Sequence, residues 1–389
     1  MAGAAAAAAG TLGSDVLQAE PRQVGAPTRP YGERSRFETS SRGAGRQAPG
    51  VLPSSSRTPL QDSLGIITPS ALHFERHHSG VPDINPATHE LLIQGLVERP
   101  LALSMADLRR LPPVSRIYFL ECSGNSSSEW RPQADGDIQK SHGMVSCSEW
   151  TGVPLALVLR EAGVRPAAQW LLAEGADAAK MTRSVPLAKA MDDALLAYGQ
   201  NGEALRPEQG YPLRLLLPGW EGNISIKWLS RLKVTDSPYY TREETSKYTD
   251  PLPDGRAREF TFDMEAKSLI TAPSAGHKLP GAGVYQISGV AWSGRGAIRR
   301  VDVSSDGGRT WTAATLDAPV LPKAFTRFHL EWRWGGGDVV LQSRAVDETG
   351  YVQPTRDALV AVRGLNSNYH NNAIQAWRVA ADGTVRNAV

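Results

Sequence analysis

Cysteine is nearly absent from this chain, which has only Cys122 and Cys147 among its 389 residues. Two thiols cannot form a framework of several disulfides, and they cannot supply the four ligands of an all-cysteine zinc site. The two could still pair once, and the sequence does not exclude it. If Cys122 binds a metal instead, its thiolate is engaged and Cys147 is expected to be a small packing residue.

An excess of charge of one sign is also missing. The 42 basic and 40 acidic residues leave a formal net charge of only +2. This balance gives no support for a nucleic-acid-binding or membrane-surface protein, which needs a basic stripe or a polybasic run. With 41% hydrophobic and 21% charged residues, the composition is that of an ordinary globular protein.

Long hydrophobic runs are absent too, so no membrane helix is predicted. The first ten residues are alanine-rich but have neither a preceding basic region nor a twin arginine. Because polar sequence follows them at once, we interpret them as a truncated export signal rather than a tail without function. The sequence also lacks a Cys-x-x-Cys-His motif, so the chain cannot itself carry a c-type haem.

Length and pattern predict two folded domains after an extended arm, given about 100–200 residues per domain. Residues 1–59 are rich in Gly, Pro, Ser and Arg without a sustained period, which indicates the arm. Residues 60–250 mix strand and helix patterns. Residues 251–389 repeat short strands between turn residues, which is typical of an immunoglobulin-like β-sandwich. The predicted fold class is therefore α+β.

Individual elements are predicted from periodicity and from start and stop residues. Ser104 is the expected N-cap of one short helix, Gly163 is expected to close another, and Asp306-Gly-Gly308 predicts a hairpin. The predicted strands cover residues 90–97, 211–217, 225–234, 283–292, 299–305 and 338–346, and the predicted helices cover residues 104–111, 154–162 and 187–197.

Cys122 is the most informative single residue. It follows the alternating segment Ile117-Tyr-Phe-Leu-Glu121 and precedes Ser123-Gly-Asn125, so its thiol is predicted where a strand ends in a loop. Such a position can present sulfur to a pocket. Taken alone, however, a single cysteine is more often a buried packing residue than a metal ligand or nucleophile.

Histidine is concentrated in the segment His73-Phe-Glu-Arg-His-His78, which holds three of the eight histidines and an arginine. A zinc site is conceivable there, but His77 and His78 cannot point the same way from an extended chain. The alternative is a surface loop with incidental histidines.

Two further cations, Arg214 and Lys227, fall on neighbouring predicted strands joined by a Gly-rich connection. They could grip a phosphate group, or they could simply line a solvated face. Nothing local distinguishes Tyr248 or Arg363 from structural residues.

In combination, these segments resemble the sulfite oxidase family of molybdenum enzymes, and within it the molybdenum subunits of bacterial sulfane dehydrogenases. The resemblance extends over about residues 30–382 and rests on the order and spacing of its fragments. These are Pro30-Tyr-Gly-Glu-Arg-Ser-Arg-Phe37, Phe74-Glu-Arg-His-His78, Glu121-Cys-Ser-Gly-Asn125, Ser146-Cys-Ser-Glu-Trp-Thr-Gly-Val-Pro154, Ile226-Lys-Trp-Leu229, Ala291-Trp-Ser-Gly294, Asp302-Val-Ser-Ser-Asp-Gly-Gly-Arg-Thr-Trp311 and Val362-Arg-Gly364.

The resemblance implies a molybdenum–molybdopterin cofactor with one pyranopterin dithiolene. Cys122 matches the family's Cys-x-Gly-Asn motif and would bind the molybdenum directly, a role that suits a soft thiolate ligand. The residues implied to hold the rest of the cofactor are His78, Ser146, Gln209, Arg214 and Lys227.

Three more residues are implied to act on the substrate. Arg76, in the family's Arg-x-His motif, would face the substrate pocket. Tyr248 stands at the spacing of the family's active-site tyrosine, and Arg363 matches the arginine that reaches the anion pocket near the C-terminus.

Two departures from the family pattern bear on the substrate. Ser127 stands where animal sulfite oxidases have an arginine, and Gln209 replaces a histidine. Losing a guanidinium weakens the case for tight capture of a small free dianion. Free sulfite is therefore not the first expectation. The resemblance to sulfane dehydrogenases instead implies a sulfane sulfur carried on the swinging arm of a partner protein during thiosulfate oxidation, and such a substrate would need fewer local cations.

The resemblance also implies the partners and the setting: a cytochrome c subunit as electron acceptor, a homodimer within a hetero-oligomer, and the periplasm. A sulfite dehydrogenase acting on free sulfite is the nearest alternative. The sequence also leaves open a sulfoxide reductase, a cysteine hydrolase that pairs Cys122 with a base such as His78, and a binding module without catalysis.

Overall fold

The computed structural model describes residues 24–44, 53–132, 136–252 and 254–388. The chain divides into two compact units, one ending at Thr39 and one from Ser40 to Val389. The predicted export signal lies outside the described residues. None of the described helices has the length and apolar character needed to cross a membrane.

Short strands and helices alternate in the first part of the larger unit. Its strands are β1 (Gly43–Ala44), β2 (Ser54–Arg57), β3 (Glu75–His77), β4 (Glu90–Gly95), β5 (Leu101–Ser104), β6 (Val114–Glu121), β7 (Val145–Pro154), β8 (Trp170–Gly175), β9 (Thr182–Pro186), β10 (Leu195–Gln200), β11 (Glu203–Ala204), β12 (Arg214–Leu216) and β13 (Leu229–Thr235). Its helices are α1 (Met105–Arg110), α2 (Ile138–His142), α3 (Leu155–Ala162), α4 (Leu187–Asp192) and α5 (Arg242–Thr245).

Three sheets organise this part. Their strand orders are β1-β2-β3, β11-β10-β7-β6 with β12 also paired to β10, and β5-β4-β13-β8-β9. Most neighbours are antiparallel, but β13 pairs with β4 in parallel. The sheet that contains β6 and β12 carries Cys122 and Arg214 towards the same region of the molecule.

Strands dominate the second part, which is a β-sandwich. Its elements are β14 (Asp250–Pro251), β15 (Ala257–Arg258), β16 (Lys267–Ala272), β17 (Gly283–Trp292), β18 (Ile298–Ser304), β19 (Thr312–Ala313), β20 (Thr315–Leu316), β21 (Thr326–Trp334), β22 (Val339–Asp347), α6 (Arg356–Arg363), β23 (Ala376–Val379) and β24 (Val385–Asn387). The two sheets have the orders β16-β17-β21-β20 and β19-β18-β22-β23-β24. The predicted α+β class with a C-terminal sandwich is confirmed.

The apolar core of the sandwich continues into the first part. Trp292, Phe328 and Trp377 are buried in the same cluster as Phe119 and Cys147 of β6 and β7. A second cluster fills the first part around Leu91, Leu159 and Leu232, among others. Phe119 packs in the shared core, and Leu120 on the other face of β6 packs in a third cluster with Phe74 and Trp150, so β6 is held from both sides close to the point where Cys122 leaves the sheet.

Several predicted elements agree closely with the structure. Ser104 caps α1 through the Asp107 N–H, and the Asp107 side chain bonds back to Ser104 in a capping box. Gly163 ends α3 at φ +70°, which favours glycine. The predicted hairpin joins β18 to β19.

Other predicted boundaries are wrong. The helix predicted to run to residue 197 ends at Asp192, because residues 195–200 pair with β7 and β12 as strand β10. The strand predicted from residue 225 begins only at Leu229. Helix α6 was not predicted at all, and two strands, β1 and β2, lie within the predicted arm. The division into segments 1–59, 60–250 and 251–389 stays a prediction.

Candidate active site

Cys122 lies directly after β6, where the chain turns away from the sheet. Its N–H donates to the Met144 carbonyl (3.0 Å) and its carbonyl accepts from the Asn125 N–H (2.9 Å), so its backbone is fixed. Burial raises the pKa of the Cys122 thiol, while the Gly124 N–H and the Arg76 charge oppose this shift. A bound cation would hold this thiol as the thiolate at neutral pH.

One cavity, called the first cavity here, brings together most of the predicted site. It is formed where β3, the end of β6, β12 and the irregular segment before β13 converge. Seven of the nine predicted site residues line it, namely Arg76, His78, Cys122, Gln209, Arg214, Lys227 and Tyr248. These residues are spread over more than 170 positions of sequence, so only the fold joins them.

Two cations line the first cavity, the buried Arg214 and the half-buried Lys227. Arg214 is 2% exposed, and its guanidinium donates to the carbonyls of Gln209 and Ser225, both at 3.1 Å. Its Nε has no partner within the described part of the chain. Burial lowers the pKa of Arg214 to about 9. Burying a cation without a paired acid costs free energy, so this site favours the binding of an anion.

Lys227 is the second cation, and its Nζ is held at three points. It contacts the carbonyls of Arg76 (3.2 Å) and Glu208 (3.1 Å) and His77 Nδ1 (2.7 Å). Burial lowers the pKa of Lys227 well below its usual range, and repulsion from Arg214 lowers it further. The solvated-face interpretation of Arg214 and Lys227 is therefore excluded.

His77, the last residue of β3, and His78, directly after it, point in different directions, as adjacent residues on an extended chain must. His77 Nε2 lies 2.8 Å from Glu75 Oε2, whereas His78 Nε2 lies 2.8 Å from the Tyr248 hydroxyl. Burial lowers the pKa to about 3 for His77 and about 4 for His78. Both rings are neutral at physiological pH. His73 and His77 are buried, so this is not a surface loop.

The predicted histidine cluster does not form a zinc site in the described part of the chain. Across residues 24–44, 53–132, 136–252 and 254–388, no three side chains of His, Cys, Asp or Glu are grouped to hold a metal ion. A metal bound at Cys122 would therefore have to bring most of its other ligands with it.

Tyr248 closes one side of the first cavity. It adopts φ +54°, a left-handed conformation that is uncommon for a non-glycine residue. Its N–H donates to the Tyr369 hydroxyl (3.3 Å), and the Arg183 guanidinium lies 5.4 Å from the centre of its ring. Burial raises the pKa of Tyr248 strongly, so the phenol stays protonated and can donate a hydrogen bond.

A second cavity adjoins the first and shares Arg76, His78, Cys122 and Tyr248 with it. Ser127 lines this second cavity, at the position where the sequence lacks an arginine. Residues that sequence reasoning missed also lie here: Arg242, Lys247 and Tyr369. Proximity to Tyr248 in the sequence could have indicated Arg242 and Lys247, but nothing local indicates Tyr369.

Two predicted site residues line neither cavity. Ser146 Oγ accepts from the Phe74 N–H (3.0 Å) and bonds to Thr58 Oγ1 (2.6 Å), so it anchors the start of the histidine segment. Arg363, at the end of α6, is 4% exposed and lies 3.8 Å from the carboxylates of both Asp250 and Glu265. Its guanidinium is paired in charge with these two acids, although its Nη1 has no hydrogen-bond partner within the described ranges.

The residues present fit the cofactor implied by the sequence. The first cavity offers a partly buried thiol for a soft metal. For an anionic group it also offers two cations, the buried Arg214 with its unpartnered Nε and the half-buried Lys227. Asn223, which also lines this cavity, has a buried side-chain oxygen without a partner in the described ranges, and this oxygen can accept a hydrogen bond from a polar ring.

Two known domain families match most of the chain. Residues 78–242 match the oxidoreductase molybdopterin binding domain, and residues 258–377 match the Mo-co oxidoreductase dimerisation domain. The two matches meet near the start of the sandwich.

Curated relatives include sulfite oxidases and nitrate reductases. The sulfite oxidase of Gallus gallus is 33% identical over 318 residues, which is 74% of this chain and 68% of that protein. Human mitochondrial sulfite oxidase is 32% identical over 78% of this chain, and the NADH nitrate reductase of Ulva prolifera is 34% identical over 68%. This chain spans 60% of the human protein and 34% of the algal protein.

A solved structure matches over nearly the whole chain. The crystal structure of the sulfane dehydrogenase SoxCD from Paracoccus pantotrophus contains a chain that is 49% identical, with a TM-score of 0.93. The match covers 98% of this chain and 100% of that chain.

Proposed function

The chain belongs to the sulfite oxidase family of molybdopterin oxidoreductases, and we propose that it oxidises a sulfane sulfur carried on a partner protein. The observation that carries this proposal is the full-length match, at 49% identity, to a chain of a sulfane dehydrogenase. Ser127 supports it, because the second cavity lacks a guanidinium at this position. A substrate delivered on a protein arm gains affinity from the protein contact and needs fewer local cations.

In this proposal the first cavity holds the cofactor. Cys122 binds the molybdenum, and Arg214 and Lys227 bind the phosphate side of the pterin, with Gln209 as a neutral hydrogen-bonding neighbour. His78 orients the cofactor and is itself positioned by Tyr248. When bound, the molybdenum centre supplies two-electron oxygen-atom transfer to sulfur.

The chain's own residues position the sulfur and stabilise charge. Arg76 lines both cavities and can hold the anionic sulfur group beside Cys122. Tyr248, which stays protonated, can donate to an oxygen that forms on that sulfur. Arg363 acts indirectly in this proposal. Its partner Asp250 accepts from the Asn368 N–H (2.9 Å), next to Tyr369.

Each oxygen atom that is added to the sulfur comes from one water molecule, and its addition releases two protons and two electrons. The electrons need an acceptor outside this chain, and we propose a cytochrome c subunit. We also propose that the chain pairs through its sandwich as a homodimer within a hetero-oligomer, and that it works in the periplasm.

A steady-state assay tests the substrate. The molybdenum-loaded chain, with a cytochrome c acceptor, is given either free sulfite or a carrier protein that bears a cysteine persulfide. We expect cytochrome reduction to require the persulfide carrier. Efficient turnover of sulfite alone would reject the carrier substrate and favour a sulfite dehydrogenase, which the sulfite oxidase relatives make the second candidate.

A cysteine hydrolase and a sulfoxide reductase are less well supported. A hydrolase needs a base at Cys122, but His78 bonds to Tyr248 instead, and no histidine in the described ranges hydrogen-bonds to this thiol. Metal and pterin analysis tests this directly, because a hydrolase would contain neither molybdenum nor pterin. The match of residues 258–377 to the dimerisation domain argues against a sulfoxide reductase, because the family resemblance implies that the reductase branch shares only the first domain.

A further inference from the structure

The second cavity continues beyond the residues that it shares with the first. Past Cys122 and Arg76 it is lined by Ser127, Arg242 and Lys247. Arg242 and Lys247 are both exposed, whereas Arg76 and Cys122 are half-buried. The cavity therefore leads from solvent, past two cations, to the predicted metal ligand.

These two cations are presented by an anchored turn. Thr241 and Glu244 form a capping box at the start of α5, and the buried Glu244 carboxylate also accepts from the backbone N–H and the hydroxyl (3.0 Å) of Ser184 on β9. After α5, the N–H of Lys247 donates to the Arg242 carbonyl (3.1 Å), which brings both side chains to the same cavity. Their placement depends on buried contacts.

The charges that face the second cavity do not cancel. Glu243 also lines it and forms an ion pair with Arg242, whose Nε donates to its carboxylate at 2.8 Å, so this pair contributes no net charge. The Lys247 ammonium has no hydrogen-bond or ion-pair partner among the residues that the structure describes. With Arg76, Arg242 and Lys247 set against Glu243 alone, the cavity has an excess of positive charge that focuses anions.

We propose that Lys247 and Arg242 are specificity-determining residues that capture the anionic sulfur group of the substrate at the cavity entrance, and thereby replace the cation missing at Ser127. This inference rests on the proposed function and adds to it that the reacting group of the substrate is an anion. The group is a terminal persulfide sulfur or a sulfur oxyanion, on a carrier arm or free. Cations at the entrance, rather than beside the metal ligand, suit an anion on a long arm.

Charge-removing variants test this. In Lys247→Gln and Arg242→Gln, measured in the loaded protein with a cytochrome c acceptor, we expect KM for the anionic substrate to rise about threefold to tenfold at low salt, with kcat unchanged. The dependence of kcat/KM on salt should flatten. Lys247→Arg should restore the wild-type values, and Lys278→Gln, which removes an exposed charge from the sandwich, should change nothing.

A binding measurement separates capture from catalysis. Sulfate, an unreactive oxyanion, is titrated calorimetrically into the loaded wild type and Lys247→Gln, and we expect about threefold to tenfold weaker binding in the variant. Unchanged KM and unchanged sulfate affinity would overturn the inference, as would a fall in kcat at constant KM. Running both sulfite and the persulfide carrier keeps the two proposals apart. If the wild type oxidises only sulfite, the carrier-bound substrate is rejected. A rise in the KM for sulfite in Lys247→Gln would still support anion capture by Lys247 at the cavity entrance.

Discussion

At the scale of single residues, the two cysteines differ through their surroundings rather than their burial alone. Burial raises the pKa of Cys147 to about 12, and its sulfur accepts from the Phe325 N–H at 3.5 Å inside the shared core. The pKa of Cys122 is also raised, but Arg76 and an adjoining cavity accompany it. Cys147 is therefore an inert packing residue, and Cys122 is the thiol that a metal can reach.

Cys122→Ser should abolish turnover with little loss of stability, because it removes a soft ligand but hardly changes side-chain volume. Cys147→Ser is the matched control. It should keep activity while lowering the free energy of unfolding by about 1–3 kcal/mol, since it buries a hydroxyl in an apolar core. Activity, molybdenum content and urea unfolding of both variants check this. A Cys122→Ser variant with near wild-type turnover would contradict the ligand assignment.

His142 gives a pH dependence to stability. It is buried, bonds to Ser126 Oγ (2.6 Å) and Gln375 Oε1 (3.0 Å), and burial lowers its pKa to about 3. An unfolded histidine has a pKa of about 6.5. Between these values the unfolded chain binds a proton that the folded chain does not, so the free energy of unfolding falls as the pH drops below about 6.5.

His142→Gln should weaken this dependence. Comparing urea unfolding at pH 7.5 and pH 5.5, we expect the loss of stability on acidification to be about 1 kcal/mol smaller in the variant than in the wild type. His329→Gln, at a side chain that is 37% exposed, serves as the control and should follow the wild type. Equal acid sensitivity of His142→Gln and the wild type would show that His142 is not the titrating group.

The residues of the site were only partly predictable from the sequence. Cys122, Arg76 and His78 sit in local motifs, so their shared cavity follows from the pattern together with the family likeness. Ser146 lies in such a motif as well, yet its hydroxyl supports Phe74 and faces neither cavity. Arg363 is drawn to Asp250 and Glu265, which no local pattern reveals, because ion pairing depends on the packing of distant segments.

At the scale of elements, β6 is tied to the sandwich by a buried charge network. Glu121, the last residue of β6, accepts from Trp292 Nε1 (2.7 Å) and Asn125 Nδ2 (2.9 Å) and lies 3.4 Å from Lys267 Nζ. Lys267, on β16, also contacts Ser126 Oγ (2.7 Å) and the Asn371 carbonyl (2.8 Å). The network therefore holds both sides of the Cys122 turn.

Breaking this network should be costly. Lys267→Met leaves the Glu121 carboxylate buried without its cation, and we expect a loss of about 3–5 kcal/mol in the free energy of unfolding. The control is Lys323→Met, which removes a half-buried lysine paired with Asp193 and should cost about 1 kcal/mol or less. Urea unfolding measures both. Similar losses in the two variants would show that the Glu121 network contributes little.

The elements themselves were predictable where local signals and packing agree. Ser104, Gly163 and the Asp306 hairpin define their elements by local chemistry. Residues 195–200 carry a helical pattern of leucine and alanine, but they complete a sheet between β7 and β12, so tertiary pairing overrides propensity. Helix α6 was missed because neighbouring strands suggested an all-β segment, although Thr355 caps it through the Ala358 N–H.

At the scale of the whole molecule, the first cavity links cofactor loading to stability. Arg214 is buried and Lys227 is half-buried, and loss of solvent lowers the pKa of both. An anionic cofactor would offset this cost in the folded state only, so it stabilises the folded chain. We therefore expect the cofactor-free chain to be the less stable form of the protein.

Calorimetry of pterin-free and loaded protein tests this. A ligand present at a hundred times its Kd stabilises by about 2.7 kcal/mol, so the loaded protein should have a Tm higher by several degrees. Lys227→Gln should reduce that difference. Identical Tm values for the two forms of the wild type would argue against binding at these cations.

The hydrogen bond that Trp292 donates to Glu121 has a consequence for chimeras made from this protein and its relatives. A chimera that takes its first part from one parent and its sandwich from another would keep the carboxylate next to Cys122, but not necessarily the indole and ammonium groups that neutralise it. Functional exchange would require Glu121, Lys267 and Trp292 to be inherited as a set. A breakpoint at residue 250 is therefore tolerable only between parents that share all three.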